Sequence, residues 1–407
     1  MKQLVLLLLA VFAAAERKRY DGYQVKRVFP KDSVGLEHLA QMRLDIRLDF
    51  WTEVRKPSTD IMVPPEVVEE LEGRLGELDL PFLTIIRDVQ KLSDEQKVAE
   101  PNEDGTPRAM DWTSYHRLVD IHGYLDQLAE DYPDMVTVMS IGSSFENRDM
   151  KLVKVSTGTA SQKMWIDGGI HAREWISPAV VTYILRELVE NYEENRDVVD
   201  LFDWYLLPVH NPDGYEYSHT NERYWRKTRS VTESSCRGVD PNRNWDFHWM
   251  ESGASQNPCS EIYAGPIPFS ESETSSVAEF LLDENADRTF QGFLTVHSYG
   301  QYWLCPWGYD AIYPEDYDLL EEAGMMGVDA IEAVFGTDYI FDTSAIGLSP
   351  AAGGSDDWAK GVGEIQYSYT LELRDTGFWG FELPASQIIP TGQETWEGVK
   401  AFARYFQ

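Results

Sequence analysis

From about residue 109 onward, helical stretches of sequence alternate with short runs that are apolar almost throughout. The clearest runs are KLVKVS, MWIDGG, WYLLPVH, GFLTVHS and QYSYTLEL. A strand that is apolar on both sides must be covered on both faces, and connecting helices provide that cover in α/β proteins. Residues 109–407 are therefore expected to form an α/β domain around a mixed, mostly parallel twisted sheet with helices on both faces.

Residues 16–92 have a different pattern and are expected to form a small α+β domain with an antiparallel sheet. Alternating apolar and polar residues predict half-buried strands, and a helical spacing behind a proline predicts one helix. The predicted strands are YQVKRVFP, DIRLDFW and FLTIIRDVQKL, and the predicted helix is PPEVVEELEGRLGEL.

The segment 93–108 is polar and turn-rich, and we interpret it as a linker between the two domains. It ends in a basic residue, Arg108, which suits cleavage by a trypsin-like protease. A plain interdomain linker is the alternative interpretation.

Residues 1–15 have the composition of a secretory signal peptide. Lys2 precedes the apolar run LVLLLLAVF, and three alanines follow that run. The run is too short to span a bilayer, and no later segment is long and apolar enough to do so. We therefore expect a secreted, extracellular and monomeric protein.

The formal net charge of −34 excludes nucleic acid and anionic membrane surfaces as partners. Most of this charge falls on residues 109–407. A strongly negative field favours cationic ligands, although solubility outside the cell explains the charge equally well.

Three cysteines in an exported chain predict one disulfide and one free thiol. Cys236 and Cys259 are the better pair, because they flank a loop-rich stretch in which a crosslink restricts the unfolded chain. Cys305 ends the apolar run YWLC and is expected to be a buried thiol.

The segment MWIDGGIHAREWISP places His171 and Glu174 just after an apolar strand. Imidazole nitrogen and carboxylate oxygen are ligands that Zn²⁺ accepts, and a catalytic zinc needs one further protein ligand. Two other histidines, His210 and His297, also end apolar strands. His210 leads directly into an Asn-Pro-Asp-Gly turn, which is sufficient to explain a polar residue at that position. The pattern therefore favours His297 as the third ligand, without excluding His210.

Seven motifs occur in the order seen in the secreted zinc metallocarboxypeptidases, the pancreatic carboxypeptidase A and B family. They are GGIHAREWISP, NPDGYEY, YWRKTRS, DPNRNWD, TVHSYGQ, GGSDDW and TLELRDTGFWGFELPASQIIPT. The likeness covers essentially all of 109–407, and the leading module resembles, less sharply, the activation peptide of that family. The resemblance implies one Zn²⁺ held by His171, Glu174 and His297, with peptide or protein C-termini as substrates.

The resemblance also implies roles for the residues around the zinc. Glu372 matches the general base, which takes a proton from water at the zinc and passes it to the leaving amine. Arg226 matches the arginine that stabilises the oxyanion. Asn242 and Arg243 match the pair that binds the terminal carboxylate, for which a planar guanidinium is well shaped. Arg173 matches a further arginine that helps to hold the substrate.

Specificity is expected from the first Asp of GGSDDW, Asp356, which in the resemblance lies at the floor of the side-chain pocket. An acidic residue there favours release of C-terminal Lys and Arg. If Asp356 is instead paired with a structural partner, an apolar preference of the carboxypeptidase A type is the alternative. The other expected substrate-binding residues are Ser344 and Gly308 in the pocket, Leu304 and Phe381 along the cleft, and Tyr299 upstream.

Ser349 departs from the family pattern, because a mobile tyrosine usually occupies this position. A serine cannot cover the substrate by aromatic contact, so the resemblance implies weaker binding with the chemistry retained. Tyr339 and Tyr313 are candidates for compensation. Ser349 also leaves open a homologue that binds peptide ends without cutting them, and a zinc amidase acting on small acylated amino acids is a further alternative.

Overall fold

The computed structural model describes residues 17–100, 102 and 104–407, which fold around two separate β-sheets. The first sheet has four strands and the second has eight. The signal peptide expected at 1–15 lies outside the described residues.

The first sheet belongs to a small α+β unit, as predicted. Its strand order is β2-β3-β1-β4, with every neighbouring pair antiparallel. Helices α1 and α2 bury Leu39, Leu71 and Leu75 against the strand residues Ile61 and Val63. The elements are β1 (Gln24–Val28), α1 (Ser33–Met42), β2 (Asp49–Phe50), β3 (Thr59–Val63), a 3₁₀ turn (Pro65–Val67), α2 (Val68–Glu77), β4 (Phe82–Ile86) and α3 (Val89–Glu95).

Two predicted strands of this unit are shorter in the structure. In DIRLDFW only Asp49 and Phe50 pair with β3, and the residues before them form turns. In FLTIIRDVQKL the strand ends at Ile86, because the Asp88 side chain accepts a hydrogen bond from the backbone N–H of Lys91 and begins a helix there. The sequence interpretation missed this N-cap.

The second unit contains the eight-stranded mixed sheet, in the order β11-β10-β12-β9-β7-β8-β6-β5. Four neighbouring pairs are parallel and three are antiparallel. Its strands are β5 (Val136–Ser143), β6 (Asp149–Val155), β7 (Gln162–Gly168), β8 (Phe202–Leu207), β9 (Phe290–Ser298), β10 (Tyr302–Cys305), β11 (Ile340–Thr343) and β12 (Tyr367–Leu373).

Nine α-helices within the described part of this unit surround the sheet. They are α4 (Leu118–Asp131), α5 (Ile176–Val189), α6 (Tyr192–Val199), α7 (Pro212–Thr220), α8 (Ser272–Glu284), α9 (Tyr317–Phe335), α10 (Ser344–Gly347), α11 (Ser355–Gly361) and α12 (Ile388–Arg404). Short 3₁₀ turns occur at Pro241–Arg243, Gly380–Glu382 and Ala385–Gln387. None of the helices described is long and apolar enough to cross a membrane.

Both faces of the large sheet are covered, as the continuous apolar runs predicted. Successive residues of β7 point to opposite faces, so that Ile166 belongs to an apolar core shared with α4, α5, α9 and α12, whereas Trp165 belongs to one shared with α8 and α11. Each face therefore has its own apolar core, and the strands between them are almost fully buried.

The central parallel strands β7, β9 and β12 end at the same edge of the sheet. Two glycines at the end of β7 let the chain turn sharply at this edge. A Cβ at Gly168 would lie 2.6 Å from Ser177 Oγ, and Gly169 adopts a φ of +67°, which other residues rarely tolerate. The tight turn delivers His171 to the edge, where His297 and Glu372 are the next-to-last residues of β9 and β12.

Candidate metal and peptide-binding site

His171, Glu174 and His297 converge at the edge of the sheet, and all three are buried. Nδ1 of His171 lies 2.8 Å from Glu174 Oε1, and Nδ1 of His297 lies 3.1 Å both from His171 Nδ1 and from Glu174 Oε2. The structure thus brings two neighbouring loop residues together with a strand residue that lies 123 or more positions further along the chain.

These three residues fit a zinc ion. Two imidazole nitrogens and one carboxylate oxygen face a common point, and their ligand atoms all lie within 4.8 Å of one another. A catalytic zinc site typically has three protein ligands of nitrogen and oxygen type. The fourth coordination position is then left for water or substrate. His210, the other candidate, is also buried, but it does not belong to this cluster. Its Nδ1 lies 3.7 Å from Asp167 Oδ1 instead.

Asp240 orients the cluster from outside. Its Oδ1 lies 3.1 Å from His171 Nε2, and its Oδ2 accepts hydrogen bonds from Arg226 Nε at 3.1 Å and Nη2 at 2.9 Å. Burial opposes its ionisation, but Arg226 and His171 outweigh burial and hold the pKa of Asp240 well below its usual range. A carboxylate behind a ligating imidazole fixes the ring orientation and increases its basicity.

Glu372 lies on β12 directly opposite His297 of β9. Burial raises the pKa of Glu372 to about 8, with Glu174 adding to the rise and His297 opposing it. Its Oε2 is buried and has no hydrogen-bond partner among the described residues. A carboxylate with a raised pKa beside a metal site suits a group that takes up and returns a proton.

Arg226, Asn242 and Arg243 line the same cleft as the metal cluster. Burial opposes the charge of Arg226, but Asp240, Glu174 and Glu53 outweigh it and raise the pKa of this guanidinium. Asn242 and Arg243 belong to the 3₁₀ turn Pro241–Arg243. Asp240 is the N-cap of this turn, and its side chain accepts a hydrogen bond from the backbone N–H of Asn242. The side chain of Asp240 therefore connects the metal cluster with the turn that carries the two candidate carboxylate-binding residues.

Asp356 lies in the first turn of α11 and lines the cleft, with 5% of its surface exposed. Its Oδ2 accepts a hydrogen bond from Ser344 Oγ at 2.9 Å. The neighbouring Asp357 points away and accepts hydrogen bonds from the backbone N–H groups of Gly308 and Tyr309, both at 2.8 Å. Burial and the adjacent Asp356 raise the pKa of Asp357 well above its usual range.

The remaining predicted residues that line this cleft are Gly308, Ser344, Leu304, Ser349 and Tyr299.

Arg173 and Phe381 do not line this cleft in the precursor, because they lie beneath the leading unit. The guanidinium of Arg173 stacks 4.4 Å from the centre of the Phe381 ring, and its Nη1 donates to Asp49 Oδ1 at 2.9 Å. Trp51 of the leading unit covers Phe381, with the ring centres 5.1 Å apart.

Two further acidic residues of the leading unit bind residues that line the cleft. Glu53 Oε1 accepts a hydrogen bond from Arg243 Nη2 at 2.9 Å, and Asp60 Oδ2 accepts one from the Tyr299 hydroxyl at 2.9 Å. Sequence interpretation missed Asp49, Glu53 and Asp60, because local pattern does not show contacts between two units. Asp240 was also missed, although it begins the quoted motif DPNRNWD.

The two aromatic residues suggested to compensate for Ser349 lie elsewhere. Tyr339 is buried behind the sheet edge near Glu394, and Tyr313 is exposed and packs on Tyr317. Neither lines the cleft.

Cys236 and Cys259 form a disulfide, and Cys305 is a buried free thiol, as predicted.

Comparison with known proteins agrees with this architecture. Residues 121–398 match the zinc carboxypeptidase family, and residues 26–96 match the carboxypeptidase activation peptide. The chain is 52% identical to carboxypeptidase B of Astacus astacus over 299 residues, which cover 73% of this chain and 98% of that protein. It is 38% identical to carboxypeptidase A2 of Mus musculus over 412 residues, covering 98% of this chain and 97% of that protein.

The fold is also similar to that of the crystal structure of thrombin activatable fibrinolysis inhibitor, with a TM-score of 0.84 and 35% identity over 94% of this chain and 98% of that chain. These likenesses cover both units, and the metal cluster has the ligands that a zinc enzyme needs. The chain therefore belongs to the zinc carboxypeptidase family: it is a zinc-dependent exopeptidase preceded by that family's activation peptide.

Proposed function

We propose that this carboxypeptidase releases Lys and Arg from the C-termini of peptides and proteins. The observation that carries the proposal is Asp356, a buried carboxylate in the cleft that has no ion-pair partner among the described residues. A buried charge without a partner is costly, and a cationic substrate side chain would supply one. A carboxypeptidase A-type preference for apolar residues is the second candidate, favoured by the 38% identity to carboxypeptidase A2.

Hydrolysis at the terminal peptide bond would use the groups gathered around the cleft. His171, Glu174 and His297 would hold the zinc ion, which would supply a Lewis acid for the scissile carbonyl and for water. Glu372 acts as general base: its carboxylate takes the proton from the attacking water and transfers it to the nitrogen of the leaving amino acid. Arg226 holds a fixed positive charge where the carbonyl oxygen becomes negative.

Substrate orientation would come from the opposite side of the cleft. Arg243 offers two parallel N–H groups and Asn242 one amide N–H to the terminal carboxylate. Arg173 and Tyr299 would bind residues upstream of the cut, and Ser344, Gly308, Leu304 and Phe381 would shape the walls. Ser349 in place of an aromatic cover would leave the bound end more open to solvent.

The leading unit would keep the enzyme inactive until it is removed. We propose an activation domain at 16–92, a linker at 93–108 and the enzyme at 109–407, with cleavage after Arg108 by a trypsin-like protease. Two observations support this: Arg108 is exposed, and the carboxypeptidase B of Astacus astacus aligns over nearly its whole length with only 73% of this chain.

Secretion follows from the proposed signal peptide at 1–15, and we propose an extracellular monomer whose partners are peptide C-termini and the activating protease. The net charge of −34 supports the absence of nucleic acid and membrane surfaces among the partners.

The direct test of the proposed specificity is a scan of peptides ending in Lys, Arg, Leu, Phe and Glu with the activated enzyme. Preferred release of Lys and Arg supports the proposal, and preferred release of Leu or Phe supports the second candidate.

A further inference from the structure

We propose that Asp120 and His116 form a binding site for the α-ammonium group of the mature chain, which cleavage after Arg108 creates on Ala109. The proposal rests on the activation cleavage described above and concerns what happens to the new chain end. The site lies at the start of α4, and neither His116 nor Asp120 lines the catalytic cleft.

Asp120 is fully buried, with 0% of its surface exposed. Its Oδ1 accepts a hydrogen bond from the backbone N–H of Arg108 at 2.7 Å, and its Oδ2 lies 3.2 Å from Nδ1 of His116. The backbone of the cleavable linker is thus already bound to this carboxylate in the precursor. Arg117, the adjacent cation, pairs with Glu216 instead.

His116 supplies a hydrogen bond to Asp120 but no positive charge. The backbone N–H of Asp111 donates to Nε2 of His116 at 3.2 Å, so Nε2 carries the lone pair. The proton of the ring is therefore on Nδ1, which donates it to Asp120. Among the described residues no Lys or Arg nitrogen lies within ion-pair distance of Asp120. The precursor contains a buried carboxylate whose two donors are both neutral.

Cleavage removes one of these donors and creates a stronger one beside it. Hydrolysis adds water across the Arg108–Ala109 bond: the hydroxyl joins the Arg108 carbonyl carbon, and one proton joins the Ala109 nitrogen. At neutral pH the new carboxyl group of Arg108 gives up its proton and the amine takes one up, so that Ala109 carries an ammonium. Arg108 and its N–H leave with the linker. Without a replacement, Asp120 Oδ1 would be buried and unsatisfied, which is costly.

The new ammonium is within easy reach of the vacated position. Backbone nitrogens of neighbouring residues are roughly 3.5 Å apart, and Ala109 is exposed and held only from its C-terminal side after the cut. The end of the linker already lies on α4, since a Cβ at Gly123 would be 2.3 Å from Pro107 Cβ. A charged donor to a buried carboxylate forms a stronger hydrogen bond than a neutral N–H. We therefore infer that this pair anchors the mature N-terminus.

The first test compares thermal unfolding of the precursor and the activated enzyme. The variants are Asp120→Asn and, as a matched control, Asp131→Asn at the exposed end of the same helix. Asn retains an oxygen acceptor for the Arg108 N–H but removes the charge. Asp120→Asn is expected to lower the melting temperature of the activated enzyme by about 3 °C more than that of the precursor, while Asp131→Asn changes both forms equally.

The second test measures acylation of the Ala109 amine in folded, activated enzyme at pH 7 by peptide mass mapping. Pairing keeps the amine protonated and unreactive, so the reaction is expected to be about tenfold slower in the wild type and in Asp131→Asn than in Asp120→Asn. Equal rates, equal shifts in both forms, or a mature chain that begins elsewhere than Ala109 would overturn the proposal. Release of C-terminal Lys, followed in parallel, reports separately on the proposed function.

Discussion

Nη2 of Arg243 donates a hydrogen bond to Oε1 of Glu53 at 2.9 Å, across the cleft between the two units. Arg43 of the leading unit pairs with the other oxygen of the same carboxylate. Burial opposes ionisation of Glu53, but Arg43 and Arg243 outweigh it and hold its pKa far below the usual range. In the precursor, Glu53 therefore occupies Arg243, the residue that we propose binds the terminal carboxylate of the substrate.

Replacement of Glu53 by Ala should weaken inhibition in the uncut precursor. The change leaves Arg43 and Arg243 facing each other without a counter-charge, and breaking a buried ion pair destabilises the contact between the units. Hydrolysis of a short blocked peptide ending in Lys should rise by about tenfold or more. Glu77→Gln, on the exposed end of α2, serves as the control and should leave the precursor as inactive as before. Unchanged activity in Glu53→Ala would contradict the inhibitory role.

Asp356→Ile should change which C-terminal residue is released. The carboxylate that would pair with a Lys or Arg side chain is replaced by an apolar group, so kcat/KM for peptides ending in Lys or Arg should fall by about a hundredfold. Peptides ending in Leu or Phe should be cut faster than by the wild type. Asp310→Asn, exposed near the pocket, is the matched control. Retained preference for Lys and Arg in Asp356→Ile would refute the assignment.

Glu372→Gln should abolish most turnover without loss of the metal. Gln has nearly the same shape but cannot accept the proton from water, so kcat should fall by about a thousandfold. Zinc content, measured by metal analysis of the purified activated enzyme, should remain at one per chain. Removal of zinc with a chelator should abolish wild-type activity, and added zinc should restore it. Near-normal kcat in Glu372→Gln would exclude Glu372 as the base.

Ser349→Tyr should improve substrate binding. An aromatic side chain at this position can cover the bound end of the peptide, and such a contact contributes about 1 kcal/mol. KM for a peptide ending in Lys should therefore fall by about fivefold, with kcat changed less. Ser349→Ala, which adds no aromatic surface, should leave KM near the wild-type value. If Tyr and Ala behave alike, Ser349 does not face the bound substrate.

The buried Glu273 should make the precursor less stable as the pH rises. Burial raises the pKa of Glu273 from 4.5 to about 7, with Glu271 and Asp213 adding to the rise. Between these values the folded state binds more protons than the unfolded state, so the free energy of unfolding decreases with increasing pH and the loss is complete above pH 7. Glu273→Gln should therefore be more stable than the wild type by about 2 kcal/mol at pH 8.

The advantage of Glu273→Gln should shrink as the pH falls from 7 to below 4.5, because below 4.5 the wild-type side chain is protonated in both states. Urea unfolding of the precursor at several pH values measures this difference. Glu279→Gln, on the exposed side of the same helix, is the control and should show no such trend. A difference that is independent of pH would contradict the assignment.

The local sequence pattern was sufficient to predict the central strands of the large sheet and two of the three metal ligands. Apolar runs must be buried on both sides, so β7, β8, β9 and β12 could be predicted from their composition alone. The spacing of His171 and Glu174 on one tight turn likewise pointed to a metal, because neighbouring residues in a turn share their surroundings. The pattern failed at Asp88, where a single capping side chain converts the end of a predicted strand into a helix.

Strand order decided what the local pattern left open. Residue pattern alone could not separate His210 from His297, since each follows an apolar strand. In the structure β7 lies between β8 and β9, and only the end of β9 brings its histidine to His171. Pairing of distant strands depends on the packing of the whole chain, which a short stretch of sequence does not encode.

Composition and short motifs thus determined the two-part architecture, the buried strands and the kinds of side chain available for catalysis. Only the tertiary structure determined which distant groups meet: Asp240 behind His171, Glu53 on Arg243, and Asp120 on the backbone of the linker. The physical reason is that burial preference is a property of each residue, whereas an ion pair or a hydrogen bond depends on where two remote segments are placed by the packing of both cores.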